Sequence, residues 1–146
     1  MENKSRSPFT RIAEPDIHTI RRVQIIKKHP EIKNLMGHDK WGGFLTLLVV
    51  AGQLVLAFFI SKYWFNWEYG ILFVLSSYII GGLMNHWVGM AIHEASHDLL
   101  APNTVQNKVL SIVANIPILL PVAVAFRRHH LKHHSHLGIE EEDNDF

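Results

Sequence analysis

Polar and apolar residues are distributed so unevenly that the chain divides itself. The first forty positions mix charged and apolar residues with no long apolar run, whereas residues 41–61, 69–92 and 109–126 contain no Asp, Glu, Lys or Arg. A helix needs about 20 predominantly apolar residues to cross a bilayer core. The first run, "WGGFLTLLVVAGQLVLAFFIS", is bracketed by Lys40 and Lys62 and predicts a spanning helix over residues 42–62. An aromatic belt at Tyr63, Trp64, Phe65 and Trp67 follows it. The second run, "YGILFVLSSYIIGGLMNHWVGMAI", begins after Glu68 and is long enough to span over residues 69–92. The third, "VLSIVANIPILLPVAVAF", is interrupted by Pro117 and Pro121. Each removes a backbone donor and kinks or ends a helix.

Charge orients these runs. Nine of the 14 Lys and Arg residues precede Trp41, and the loop between the first two runs carries only Lys62 and Glu68. Lys and Arg concentrate on the cytoplasmic side of membrane proteins. The N-terminus is therefore expected in the cytoplasm, the loop outside, and His93 back on the cytoplasmic side. A third crossing would carry Arg127, Arg128 and Lys132 outside, against the same rule. The third run is accordingly expected to be a re-entrant or interfacial helical hairpin over residues 109–126. The fold class expected is an all-α membrane protein: two transmembrane helices plus a proline-broken hairpin, with the histidine-rich segments on the cytoplasmic side. Residues 1–40 form a cytoplasmic basic region and residues 41–146 the membrane domain, and the acidic cluster "IEEEDND" reads as a loop.

Composition adds exclusions. The chain has 146 residues, is 48% hydrophobic and has a formal net charge of +1 with histidine neutral. That balance fits neither a charged disordered tail nor, by charge, a nucleic-acid binder. The absence of cysteine removes disulfides, iron–sulfur clusters and thiolate zinc sites, and leaves the redox compartment open. The first forty residues lack the apolar core of a cleavable signal peptide, and Glu2 in place of Gly excludes N-myristoylation. Membrane attachment is expected from the internal segments.

The candidate chemistry lies in two histidine groups. "HEASH" sets His93 and His97 four residues apart, on one helix face, so that both can reach one metal ion. Histidine within membrane segments is uncommon and usually functional. Two interfacial histidines facing lipid headgroups would give the same spacing. The string also matches the H-E-x-x-H pattern of zinc proteases, with Glu94 as general base. The second group, "FRRHHLKHHSHLG", sets His130, His133 and His134 at i, i+3, i+4, with His129 one position earlier. A mononuclear zinc protease needs two histidines and one further ligand, so this second set would be surplus, whereas two metals would use it. A solvated polyhistidine stretch would not account for its place after a membrane-embedded hairpin. Imidazole-rich, thiolate-free coordination suits iron, copper or zinc. Arg127, Arg128 and Lys132 could steer an acidic electron donor, or anchor the chain by the charge rule alone. His86, two turns before His93, and Asn85 either support the ligands or hydrogen-bond within the bundle, the second being expected. His18, His29 and His38 are expected to be solvated.

"HEASHD" followed by "FRRHHLKHHSHLG" and "DND" resembles the first two histidine boxes of the membrane fatty-acyl desaturase and hydroxylase superfamily. More narrowly the chain resembles the sphingolipid delta-4 desaturases, also called dihydroceramide desaturases, through "KKHPEIKNLMGHD", "NHWVGMAIHEASHDLL", "ANIPILLP" and the second box. The resemblance implies a multi-pass oxidoreductase of the endoplasmic reticulum membrane with its boxes facing the cytoplasm. It implies two irons held by histidines, electrons from NADPH through a cytochrome b5-type donor, and O2 used to place a trans double bond between C4 and C5 of a dihydroceramide. Carried over by position, the metal ligands are His93, His97, His130, His133 and His134. The family commonly has an aromatic residue at the place of His129, which makes His129 a supporting residue. Glu94 becomes a carboxylate that could fix the tautomer of a ligand imidazole. The family carries a third histidine box on a later segment. This chain stops at Phe146 without one, so the expectation is a fragment, or a chain that lost its second half, inactive by itself. A sphingolipid C4-hydroxylase or another fatty acyl desaturase remains an alternative in the same class. An H-E-x-x-H intramembrane zinc protease and a non-catalytic metal-binding membrane protein are alternatives outside it.

Overall fold

The structure, a computed structural model, describes residues 17–63, 67–137 and 143. The chain forms two compact units, Met1–Gly37 and His38–Phe146. In the first unit, α1 (Ile17–Lys28) is followed by a 3-10 helix, Pro30–Leu35, and neither element has a buried residue.

The second unit begins with α2 (Gly42–Tyr63), whose 22 residues make it about 33 Å long at about 1.5 Å per residue. A second helical rod, Trp67–Ser96, runs for 30 residues. It comprises a 3-10 turn (Trp67–Tyr69), α3 (Gly70–Ser76), a π-helical turn (Ser77–Gly81) and α4 (Gly82–Ser96). Both rods are long and apolar enough to cross a membrane. The helix containing the second span continues beyond residue 92 and carries the "HEAS" segment on its last turn. Trp64 and Phe65 of the expected aromatic belt lie outside the described residues, as does the acidic cluster apart from Asp143. Among the described residues there is no strand.

The third apolar run forms a helical hairpin, α5 (Thr104–Asn115) and α6 (Val122–Ser135), joined by a 3-10 turn at Ile116–Ile118. It starts five residues before the apolar run because Asn103 caps it, its side chain accepting from the Gln106 amide at 3.0 Å. At 12 and 14 residues the two helices reach about 18 and 21 Å, short of the roughly 30 Å hydrocarbon core. The reversal uses both prolines and Leu119, whose φ of 66° is left-handed. Asn115 closes it: Nδ2 donates to the Leu120 carbonyl at 2.6 Å, and Oδ1 accepts from the amides of Val122 at 3.0 Å and Ala123 at 2.9 Å. One side chain thus donates to a turn carbonyl and accepts from the first two amides of α6, the Val122 amide also reaching the Leu120 carbonyl at 2.7 Å.

Packing concentrates where the hairpin meets the ends of the rods. Val50 of α2, Val88 and Ile92 of α4, Ala114 of α5 and Ala123 of α6 form one buried cluster, and Ala91, Ala95 and Leu100 form another. The α4–α5 connection is pinned by Asn107, which is fully buried. It accepts from the Leu100 amide at 3.0 Å and donates to the carbonyls of Ala101 at 2.8 Å and Asn103 at 2.9 Å. The connection rests on the start of α2, where only glycine fits. A Cβ on Gly43 would lie 2.9 Å from the Leu100 carbonyl oxygen and 3.0 Å from Leu110 Cδ1. Away from this end the rods present large apolar side chains outward, among them Ile71 at 77% and Leu83 at 70% exposure. Those faces suit a lipid environment.

This packing predicts opposite effects for two glycine substitutions. Gly43→Ala drives a methyl into backbone and should destabilise by about 1–3 kcal/mol. Gly89→Ala has nothing within 4 Å of its new Cβ and should stabilise α4 by about 0.5–1 kcal/mol. Thermal unfolding of the detergent-solubilised protein, followed by size-exclusion fluorescence, measures both; a Gly43→Ala midpoint at or above the parent's would contradict the close approach.

Candidate metal centre

The site is built on how α4 ends. His97 caps the helix, Asp98 takes a left-handed φ of 61°, and the amides of Leu99 and Asp98 turn back to the carbonyls of Glu94 at 3.1 Å and Ala95 at 3.2 Å. This pattern usually places glycine at the left-handed position. Aspartate is tolerated there better than most residues. Here its side chain is also held: Arg127 of α6 donates from Nη1 to Oδ1 at 3.1 Å and from Nη2 to Oδ2 at 3.0 Å, and the Thr104 hydroxyl donates to Oδ2 at 3.1 Å. Arg127 Nη1 also donates to the Ala95 carbonyl at 2.7 Å, adding to the Asp98 amide that the carbonyl already accepts at the helix end. The hydrogen bond from Arg127 holds the Asp98 carboxyl below its ordinary range. Arg127 is therefore a structural tie between α4 and α6, not a charge open to an incoming donor. Arg128 is exposed.

The tie brings the two histidine groups face to face. His97 Nε2 lies 2.9 Å from His130 Nε2, and His130 Nε2 lies 3.1 Å from His134 Nε2. The His93 ring centroid is 4.3 Å from that of His130 and 5.2 Å from that of His97. His93, His97 and His130 offer ligand nitrogens within 4.8 Å of one another. Phe126, one turn before His130, stacks on its ring at 4.8 Å and 14° and lies 5.9 Å from His93. Burial, followed by the proximity of His134 and His93, lowers the His97 pKa, and burial followed by His93 lowers that of His130. Both stay neutral near pH 7, the form that coordinates metal.

His133 is oriented differently. Its Nδ1 lies 2.7 Å from Oδ1 of Asp143, whose side chain is 0% exposed. A carboxylate on one imidazole nitrogen fixes the tautomer and leaves the other nitrogen's lone pair for a metal. The Glu94 carboxylate, the expected partner of an imidazole, makes no such bond among the described residues; its backbone carbonyl accepts from His97 and Leu99. His129 is exposed, one position round the helix from His130. Asn85 and His86 are also exposed. No hydrogen bond of the His86 side chain is found among the described residues. The sequence reading missed Asp143, Asp98 and Phe126 as site residues. Phe126 had a legible signal in its one-turn spacing from His130.

The donor set fits a first-row metal ion. Two imidazole nitrogens each about 2.1 Å from one ion, at a right angle, lie about 3.0 Å apart. That matches the observed 2.9 and 3.1 Å separations. An all-imidazole set without thiolates is suited to iron, copper or zinc.

Two long apolar rods, a short hairpin and converging imidazoles define a histidine-box membrane protein. Residues 69–146 match the fatty acid desaturase model, and residues 5–41 match that of the sphingolipid Delta4-desaturases. The chain belongs to the fatty acid desaturase family. It is 32% identical to the sphingolipid delta(4)-desaturase DES1 of Drosophila melanogaster over 97% of this chain and 43% of that protein. It is 36% identical to the sphingolipid delta(4)-desaturase of Schizosaccharomyces pombe over 94% of this chain and 36% of that protein. With the sphingolipid delta(4)-desaturase DES1-like protein of Arabidopsis thaliana the identity is 39%, over 88% and 37%. The chain thus spans about two fifths of the length of these curated relatives. No solved structure matches it.

Asp143→Asn should lower metal affinity about 10- to 100-fold by releasing the His133 tautomer. Helix content should stay unchanged. Metal retained by the purified protein against a graded chelator series, read by plasma mass spectrometry beside circular dichroism, tests this; unchanged retention would remove Asp143 from the site.

Proposed function

We propose that the complete protein is a sphingolipid delta-4 desaturase. The observation that carries this reading is the convergence of imidazoles from both boxes at 2.9 and 3.1 Å across α4 and α6. The similarity to proteins named as sphingolipid delta(4)-desaturases supports it. The substrate is a dihydroceramide. One hydrogen leaves C4 and one leaves C5, and a trans double bond forms between them. The two hydrogens, together with two electrons from NADPH delivered through a cytochrome b5-type donor and two protons, reduce O2 to two water molecules.

His93, His97, His130, His133 and His134 would be among the ligands of two irons, which when bound would supply the oxidising power needed at an unactivated methylene, chemistry that side chains lack. The chain's own residues do the rest. Asp143 orients His133, the Arg127–Asp98 pair keeps the two boxes in register, and Phe126 walls the imidazoles on the apolar side. In this reading the boxes face the cytoplasm in the endoplasmic reticulum membrane. The acyl chain lies among the helices, and electrons arrive from the aqueous side.

The zinc-protease reading would use His93, His97 and Glu94 and leave His130 and His134 without a role, although both sit on the same cluster. C4-hydroxylation would begin with hydrogen removal at the same carbon and use the same residues.

In the complete gene product, expressed in desaturase-deficient cells, alanine at any of the five ligand positions should abolish dihydroceramide conversion measured by lipid mass spectrometry. His129→Ala should leave a measurable part. Conversion surviving all five substitutions would overturn the proposal, and a hydroxylated product would move it to the C4-hydroxylase. Glu94→Gln distinguishes the remaining class: a proteolytic activity of the parent that disappears in this variant with zinc retained would establish the protease instead.

A further inference from the structure

Around the histidines the acids are paired, with one exception. Among the described residues of that end, Asp39 accepts from the Trp41 amide at 3.0 Å, Asp98 accepts from Arg127 and Thr104, and Asp143 lies 2.7 Å from His133. Hydroxyls nearby are committed as well: Ser96 donates to the His93 carbonyl at 2.6 Å and Ser135 to the Lys132 carbonyl at 2.9 Å. Glu94 is different. Its side chain makes no hydrogen bond or ion pair among the described residues, although the residue is half-buried on the last turn of α4. It stands directly after His93 and three residues before His97, and residues three apart on a helix are neighbours, about 5–6 Å between Cβ atoms. The carboxylate is close enough for its charge to act on the His97 imidazole. An acceptor is thus left open at the edge of the metal centre.

A group in that place meets whatever part of a substrate flanks the reacting carbons. In a dihydroceramide C4 is bonded to the carbon that carries the 3-hydroxyl, so with C4 and C5 at the imidazoles that hydroxyl lies in their immediate surroundings. A hydroxyl bonds a carboxylate more strongly than it bonds a neutral acceptor. The converse is a penalty. A seated lipid displaces water from Glu94, and a carboxylate stripped of water without a donor in its place is costly. An acyl chain with only methylenes beside the reacting carbons offers no donor. Sites built to bond a hydroxyl reject the analogue lacking it far more strongly than an apolar pocket rejects a misfit.

We propose that Glu94 is a substrate-binding residue that accepts a hydrogen bond from the sphingoid 3-hydroxyl and so selects hydroxylated sphingoid chains over plain acyl chains. The proposal rests on the sphingolipid reading of the complete protein and names the residue that enforces it. No proton is transferred: the hydroxyl keeps its hydrogen, and the bond places C4 and C5 at the imidazoles.

The test uses the complete gene product in membranes of desaturase-deficient cells, given dihydroceramide and its 3-deoxy analogue together. Products carrying a 4-ene or a 4-hydroxyl are both counted by lipid mass spectrometry. The ratio of the two kcat/KM values then comes from one preparation, independent of expression, metal loading and electron supply. The parent should prefer dihydroceramide by about 100-fold or more. Glu94→Leu removes the acceptor at similar size and should bring the two substrates to within about threefold, through lost conversion of dihydroceramide alone. Glu94→Gln keeps one acceptor oxygen without the charge and should lower the preference about tenfold. It carries the test should Glu94→Leu misfold, which size-exclusion fluorescence detects. Both substrates falling together in the variants, even to no turnover, would mark a structural or metal-supporting role and overturn the proposal, as would a parent that converts both equally. A parent that converts dihydroceramide, with its preference unchanged in the variants, removes Glu94 and leaves the desaturase reading standing. A parent that converts neither substrate removes both.

Discussion

The guanidinium of Arg127 is the contact on which the geometry of the site depends. The imidazoles of two separate helices must be held within about 3 Å without a covalent link, and a histidine that gains a proton repels its neighbours. Arg127 reaches from α6 to both carboxylate oxygens of Asp98 and to the Ala95 carbonyl, fixing the end of α4 in rotation as well as in distance. Its side chain is 18% exposed and that of Asp98 36%, so solvent screens the pair. The tie contributes on the order of 1 kcal/mol, far less than the buried clusters beneath it. Its importance is positional: a slip of one residue along α6 would turn His130 and His134 some 100° away from His97.

The packing that supports this contact is unevenly distributed. Gly42 and Gly43 admit Leu100 and Asn107 pins the chain that carries it at the histidine end, while Asn115 closes the hairpin at its far turn, so three connections are fixed by specific hydrogen bonds or close backbone approach. At the other end the rods diverge around a cavity and a π-helical turn. A rigid constellation on packed helices with a looser distal region is the division expected where ligand side chains must be held to fractions of an ångström.

The spans and the two boxes were legible in the sequence because each depends on a simple periodic or compositional signal. Runs free of Asp, Glu, Lys and Arg mark bilayer-length helices, two prolines mark the hairpin, and i, i+4 spacing puts His93 beside His97. What escaped depends on contacts between distant segments or on local irregularity. Asp98 at a left-handed position looks like any acidic residue after a box, since glycine is the usual signal there. Arg127 carries the same charge whether it anchors to lipid, steers a partner or ties helices. Asp143 is hidden among four other acidic residues in "IEEEDND", and only the fold shows that it is buried against His133. The π-helical turn at Ser77–Gly81 has no residue signature.

The hydrogen-bonding capacity of imidazole explains why such a cluster calls for a cation. His130 Nε2 is within hydrogen-bonding distance of two other nitrogens, Nε2 of His97 and Nε2 of His134. A neutral imidazole nitrogen carries either one proton or one lone pair, so His130 can complete one good hydrogen bond with its Nε2, not two. With complementary tautomers the single proton or lone pair of His130 Nε2 is shared between both neighbours, so at least one of the two contacts is weak. Adding a proton to the cluster gives one more donor but places charge among groups whose burial already disfavours it. A divalent ion resolves the conflict by accepting the lone pairs of all three nitrogens at once. The same burial that lowers the histidine pKa values then works in the ion's favour, by removing the competing proton. Closing the two boxes against each other with Arg127 therefore brings together a neutral imidazole cluster whose lone pairs suit a cation.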